Sequence, residues 1–207
     1  MTRNTPTDGS SIGGVVLAAG TSDRFEGENK LAVVLDEESI VRRATRSLLR
    51  SRIDAVVVVV GFEADRIAGH LEGLPVTVKR NERYTDGQST SVRTGIEHAI
   101  EQGWTAAVFG LGDMPYVDPA TVDALIEAFE NGEGSILWPE YQGERGNPVL
   151  FSAEHFDSLR SVTGDRGGRE LVTSHPGSTP VPVDDPGVVR DVDRRTDLDS
   201  DGGRQST

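Results

Sequence analysis

Six consecutive apolar residues, Ala55 to Val60, five of them valine, run without a polar interruption and stop at Gly61. Side chains at successive strand positions point to opposite faces, so this segment is satisfied only if both faces are covered. Such strands belong in the middle of a parallel sheet with helices on either side. The flanking sequence supplies helices and further strands in alternation. Residues 12–17 read as a buried strand feeding the tight loop Ala18-Ala19-Gly20. Ser39 is placed to cap a helix with Val41, Ala44 and Leu48 on one face. A helix is expected over 62–71, a strand over 76–78, and an amphipathic helix over 87–102 with Val92, Ile96, Ala99 and Ile100 in one stripe. Next come a buried strand at 105–109 and the cap and first-turn proline Asp118-Pro119, followed by Val122, Leu125, Ile126 and Phe129 at helical spacing. Strands at 135–138 and 148–151, a helix at 153–159 and a last strand at 188–192 complete the pattern.

The alternation predicts a doubly wound α/β domain, a mostly parallel sheet with helices on both faces. One domain is expected over 12–198, between polar, disordered tails at 1–11 and 199–207. In such sheets ligands bind at the carboxyl ends of the strands, here just after Leu17, Val60, Val78 and Phe109.

Composition narrows the chemistry. Lys plus Arg total 21 against 34 Asp plus Glu, a net charge of −13. That is a poor balance for gripping nucleic-acid phosphates. The absence of cysteine removes disulfides, thiolate metal sites and cysteine nucleophiles. No apolar run approaches the roughly 20 residues that span a bilayer, and the N-terminus lacks the apolar stretch of a secretory signal. The expected location is the cytoplasm, away from membranes. Only Lys30 and Lys79 among the basic residues are lysines, and an acidic, lysine-poor surface suits a halophilic, high-salt cytoplasm.

Four segments carry the chemistry. In the first, small residues at 18–20 let successive amides approach an anion, while Arg24 and Lys30 offer a planar fork and a point charge. The spacing matches neither a Walker loop nor a dinucleotide fingerprint, and an ordinary strand-to-helix turn is the competing reading. In the second, Asp113 follows a buried strand between Gly112 and Pro115, placed to hold Mg²⁺ with substrate phosphates, or to cap a turn. The third runs through Asn81, Gly87, Ser89 and Ser91 into a helix start that suits phosphate or ribose, with Asn81 able to read a base edge; a plain helix cap is the alternative. The fourth gathers Arg145, Arg166 and Arg169 into a positive patch for an anionic ligand, unless they pair with surface carboxylates.

Leu17-Ala18-Ala19-Gly20-x-Ser22-x-Arg24, with Lys30 six positions further on, resembles the signature of the MobA-like nucleotidyltransferases, most nearly the molybdenum cofactor cytidylyltransferase (MocA) type. Gly112-Asp113-Met114-Pro115 is similar to that family's metal-binding segment, and the run from Asn81 to Ser91 to its nucleotide segment. Glu144 to Pro148 resembles its acceptor side, and Asp191 to Leu198 its closing acidic motif. Two positions depart from the pattern: Glu26 stands where glycine is usual and Arg194 where threonine is.

The resemblance implies a Rossmann-like nucleotidyltransferase fold and transfer of a nucleoside monophosphate, CMP from CTP, to molybdopterin with release of pyrophosphate. It implies Arg24, Lys30 and Asp113 as catalytic residues and Mg²⁺ on Asp113 and Asp193. Nucleotide contacts fall to Leu17, Ala18, Ala19, Gly20, Arg24, Lys30, Asn81, Gly87, Ser89 and Ser91. Acceptor contacts fall to Arg145, Gly146, Asn147, Arg166 and Arg169, and a molybdoenzyme is the implied protein partner. The CTP preference comes from Ala18-Ala19-Gly20 in place of Ala-Gly-Gly. Two alternatives remain: a sugar- or alcohol-phosphate nucleotidyltransferase, and a non-catalytic nucleotide-binding maturation factor for a molybdoenzyme. The enzymatic reading requires the Asp113 carboxylate to lie beside the bend at 18–20, neither facing outward nor locked in an ion pair.

Overall fold

The computed structural model describes residues 11–21, 25, 28–164, 168–194 and 196–199. Strand β1 (Ile12–Ala18) is followed by the small hairpin β2 (Val34–Leu35) and β3 (Glu38–Ser39), then helix α1 (Ile40–Leu49). The chain continues through β4 (Ala55–Val60), α2 (Ala64–His70), β5 (Val76–Arg80), α3 (Gln88–Gln102), β6 (Ala106–Leu111) and α4 (Pro119–Glu130). The second half holds β7 (Ile136–Tyr141), β8 (Glu144–Arg145), β9 (Val149–Ser152), α5 (Phe156–Ser161), α6 (Arg169–Ser174), β10 (Ser178–Pro182) and α7 (Thr196–Asp199).

The main sheet has the order β10-β7-β9-β6-β1-β4-β5, with β8 paired to β7. Pairings of β1 with β4 and β6, of β4 with β5 and of β7 with β10 are parallel. Only β9, set between β6 and β7, and the short β8 run antiparallel to their neighbours. This is the mostly parallel sheet that the alternation predicts. Val56 to Val60 are all buried, as a strand covered on both faces must be. Val58 and Val60 join Val16 and Val108 in one core layer with Ile40 of α1 and Leu125 of α4. Val57 and Val59 join Val15 and Ala107 on the other face, with Ile96 of α3 and Leu159 of α5. Each buried valine contributes about 1.5–3 kcal/mol relative to an exposed one, so the two layers fix the strand order as well as stabilise it. No helix among the described residues is long and apolar enough to cross a membrane.

Several local expectations are corrected. Asp118 caps α4 as expected, accepting from Ala120 N at 2.9 Å with Pro119 in the first turn. Ser39 stands at the N-cap of α1 but makes no capping hydrogen bond, and its buried hydroxyl has no partner among the described residues. Residues 188–192 form no strand: Pro186 and the Asp185 side chain, which accepts from Gly187 N at 2.8 Å, start a 3-10 turn over Pro186–Val189. The apolar pattern was real, since Val188 and Val192 are buried, but it serves packing. The true last strand, Ser178–Pro182, carries two prolines, which a sheet tolerates at the edge where β10 lies. Of the expected tails, 1–10 and 200–207 lie outside the described residues. Ser11 O accepts from Thr105 N at 2.8 Å, and Asp199 is the last residue of α7.

Gly13 tests this packing. A Cβ there would stand 2.1 Å from ring carbons of Trp104, a buried side chain held edge-on by His98. Gly13→Ala should lower the unfolding free energy in urea by about 2–3 kcal/mol. Gly69→Ala, in α2 with nothing within 4 Å, should instead raise it by roughly 0.5 kcal/mol.

Candidate functional site

The carboxyl ends of β1, β4 and β6 share one rim because the ladder pairs Leu17 with both Val59 and Leu111. Gly112 N donates to Leu17 O at 2.9 Å, and a Cβ at 112 would lie 3.1 Å from that oxygen. A glycine is what lets the loop carrying Asp113 press against the end of β1. Asn29 Oδ1 accepts from Leu31 N and opens a 3-10 turn over Lys30–Ala32, whose buried Leu31 and Ala32 anchor Lys30 at the same rim. A third segment arrives from the C-terminal end: Val192 N donates to Asp113 O at 3.0 Å. Asp197 Oδ2 then accepts from the amides of Asp193 and Arg194 at 2.9 and 2.7 Å, setting the turn that aims Asp193.

Carboxylate oxygens of Asp113, Asp191 and Asp193 consequently lie within 4.8 Å of one another. Lys30 Nζ sits 2.7 Å from Asp113 Oδ2 and 2.7 Å from Asp193 Oδ1. Burial opposes the lysine's charge, but Asp113 and then Asp193 outweigh it and hold its pKa above the ordinary value. The Asp191 carboxyl is pushed up by burial and by the charges of Asp193 and Asp113. Asp113 therefore lies beside the bend, as required, but it stands in an ion pair, against expectation; the enzymatic reading survives because the partner, Lys30, lines the same cleft and leaves Asp113 facing it. The reason for the pair is physical: clustered carboxylates draw in a cation, and the one that answers is Lys30.

The cluster edges a cleft of about 450 Å³. Of the expected nucleotide residues, Leu17, Ala19, Gly20, Lys30, Gly87 and Ser91 line it, together with Asp113. Ala18 is buried at the end of β1, and Ser89 is buried in α3 without reaching the wall. Asn81 is buried with its amide engaged inside the protein: its Nδ2 donates to Thr90 Oγ1 and Ser91 Oγ at 2.8 and 2.9 Å, and its Oδ1 accepts from Arg83 N. It braces the start of α3 from within. Thr21, Tyr84, Thr85 and Gln88 also line the cleft, and Tyr84 and Gln88 stand in the polar run from Asn81 to Ser91. Arg24 lies outside the described residues.

A second cleft of about 330 Å³ shares Leu17, Gln88 and Leu111 with the first. Arg145, Asn147 and Arg169 line it, over a floor that includes Val92, Val149 and the edge-to-face pair Phe109–Phe151. Among the described residues neither arginine is paired with a carboxylate. Burial, then the charge of Arg169, pulls the Arg145 pKa down, so an anion between them would relieve both guanidiniums. Gly146 has a packing role: its N donates to Pro139 O, and a Cβ there would meet Val188 at 2.6 Å. Arg166 lies outside the described residues. Asp191 is the metal-ligand candidate that the sequence reading left unassigned, although it stands two residues from Asp193 in the same acidic motif.

Comparison with known proteins agrees with this arrangement. Residues 14–179 match the model of the MobA-like NTP transferase domain. The chain is 30% identical over 195 residues, 90% of its length, to the purine catabolism protein PucB of Bacillus subtilis, covering 93% of that protein. It is 31% identical over 127 residues, 61% of each chain, to a probable molybdenum cofactor guanylyltransferase of Natronomonas pharaonis. The crystal structure of Rv0371c from Mycobacterium tuberculosis superposes with a TM-score of 0.79 at 26% identity, over 92% of this chain and 97% of that one. With a rim built at the ends of three parallel strands and a family match over most of its length, this chain belongs to the MobA-like NTP transferases and is a nucleotidyltransferase of Rossmann-like fold.

Proposed function

We propose that the protein transfers CMP from CTP to a phosphate of molybdopterin, releasing pyrophosphate with the help of Mg²⁺. The observation that carries this reading is the side-by-side pairing of two clefts. One joins the bend at Ala19 and Gly20 to Lys30 and to Asp113, a member of the carboxylate cluster, and the other sets two arginines over an apolar floor. Three clustered carboxylate oxygens are the hard donors that Mg²⁺ prefers, so the residues present fit that ion. Asp113, Asp191 and Asp193 would hold it, and its charge would neutralise phosphate oxygens. The bend and Lys30 take the triphosphate, and Arg145 and Arg169 take the anionic end of the acceptor. A phosphate nucleophile is already ionised at neutral pH, so no residue has to act as general base. Catalysis is then positioning and charge neutralisation. The apolar floor, with Phe109 and Phe151, favours a flat ring system over a polyhydroxylated sugar, which speaks against a sugar-phosphate acceptor.

One observation favours a second reading for the base. The relative from Natronomonas pharaonis carries the name of a guanylyltransferase, and GTP is its counterpart here. Pyrophosphate release with each of the four NTPs, Mg²⁺ and molybdopterin separates the readings; nucleotide binding without release would identify a non-catalytic factor. The Ala19 methyl stands where the guanylyl type has glycine, and Ala19→Gly should shift the CTP-to-GTP ratio of kcat/KM about tenfold toward GTP.

Asp113→Asn should cut Mg²⁺-dependent pyrophosphate release by at least about 10² while leaving the circular dichroism spectrum unchanged. Arg145→Ala and Arg169→Ala should each raise the KM for the acceptor about tenfold, with the KM for CTP little altered, since the loss of a charge-assisted contact falls on one substrate only.

A further inference from the structure

We infer that Lys30 is the resident counter-ion of the carboxylate cluster and exchanges with the divalent cation when nucleotide binds, so that the nucleotide gates metal capture. The inference rests on the proposed function, which supplies the metal and the triphosphate. Its own basis is the position of one ammonium group. Lys30 Nζ lies 2.7 Å from oxygens of both Asp113 and Asp193, two of the three carboxylates that would hold the metal. A cation bound to those oxygens would stand next to the ammonium. Like charges at that separation in a half-buried cleft repel strongly, and the two compete for the same lone pairs.

The surroundings allow an exchange. The backbone of residue 30 is fixed, because Asn29 caps its turn and Leu31 and Ala32 are buried beside it. The lysine side chain is flexible and strongly hydrated, able to leave one anionic partner for another without moving the fold. The other partner is at hand, since Lys30 lines the same cleft as Gly20 and Thr21 at the bend assigned to phosphate. A triphosphate there offers oxygens to Lys30 and frees the carboxylates. Metal and nucleotide then favour one another reciprocally, and part of that coupling belongs to Lys30.

The test is equilibrium dialysis of the full chain against Mn²⁺ alone and against Mn²⁺ with CTP, in the absence of acceptor, counting protein-bound metal. Without nucleotide, Lys30→Met should bind Mn²⁺ at least tenfold more tightly than the parent protein, and Lys30→Arg no more tightly than the parent. With CTP the advantage of Lys30→Met should vanish or reverse. If Lys30→Met does not fold, Lys30→Gln carries the same expectation. Equal or weaker binding by the uncharged variant without nucleotide overturns the inference. So does a tenfold advantage that persists with CTP, which would mean fixed repulsion in place of exchange. Failure of the parent protein to bind Mn²⁺ even with CTP overturns the metal reading itself, and this inference with it. Binding of Mn²⁺ by the parent with CTP, combined with either of the first two results, leaves that reading standing.

Discussion

Parallel pairing on both edges of β1 is the constraint from which the site follows. Because Leu17 is in register with Val59 on one side and Leu111 on the other, three strands end at one rim. That register is held by burial: consecutive residues of β1, β4 and β6 face two different core layers, and a slip of one residue would exchange them. Two hydrogen bonds extend the constraint beyond the sheet. Gly112 N to Leu17 O seats the Asp113 loop on the end of β1, and Val192 N to Asp113 O draws in a segment almost eighty residues later.

Charge is distributed on the same plan. Among the described residues most guanidiniums lie beside carboxylates, as in Arg52–Glu130, Arg66–Glu28 and Arg83–Asp86. Exposed pairs of this kind contribute about 0–1 kcal/mol each and serve mainly to limit repulsion. The rim departs from that pattern in two opposite ways. At one cleft Lys30 pairs with two of three clustered carboxylates, and in the next two arginines lack a carboxylate among the described residues. The two clefts therefore carry opposite excess charge side by side at one rim. In the proposed reaction, a cation on the carboxylates would screen one anion and the arginines would screen the other.

What could be read from sequence followed the strength of local signals. The valine run, the Asp118-Pro119 cap and the stripe of Val92, Ile96 and Ala99 are each decided by residues close in the chain, and the structure keeps them, whereas Ile100, expected in the same stripe, is exposed. The strand at β10 was hidden because Pro180 and Pro182 argue against a strand except at an edge, and an edge is a property of the whole sheet. The expected strand at 188–192 failed for the opposite reason: its valines report burial, and burial alone does not distinguish a strand from a packed turn closed by Pro186 and Asp185. Asn81 shows the same limit at the site. Residue type announced a polar group near the cleft, but only the hydrogen bonds to Thr90 and Ser91 reveal that it faces inward. Lys30 and Asp113 were each legible as site residues, whereas their contact, across more than eighty positions, was not.

The closing acidic motif shows how a turn can keep its backbone geometry through a departure from a family pattern. Residues 14–179 carry the family match, yet two of the three clustered carboxylates come later, in a segment where Arg194 replaces the usual threonine. A side-chain role at 194 would make that replacement costly. The structure gives the position a backbone role: Arg194 N donates to Asp197 Oδ2 at 2.7 Å, beside the bond from Asp193 N, while the residue itself is exposed. Any residue other than proline supplies that N–H. The turn depends on Asp197 as its acceptor and on Val192 packed beneath it, so the aim of Asp193 is preserved although position 194 has changed.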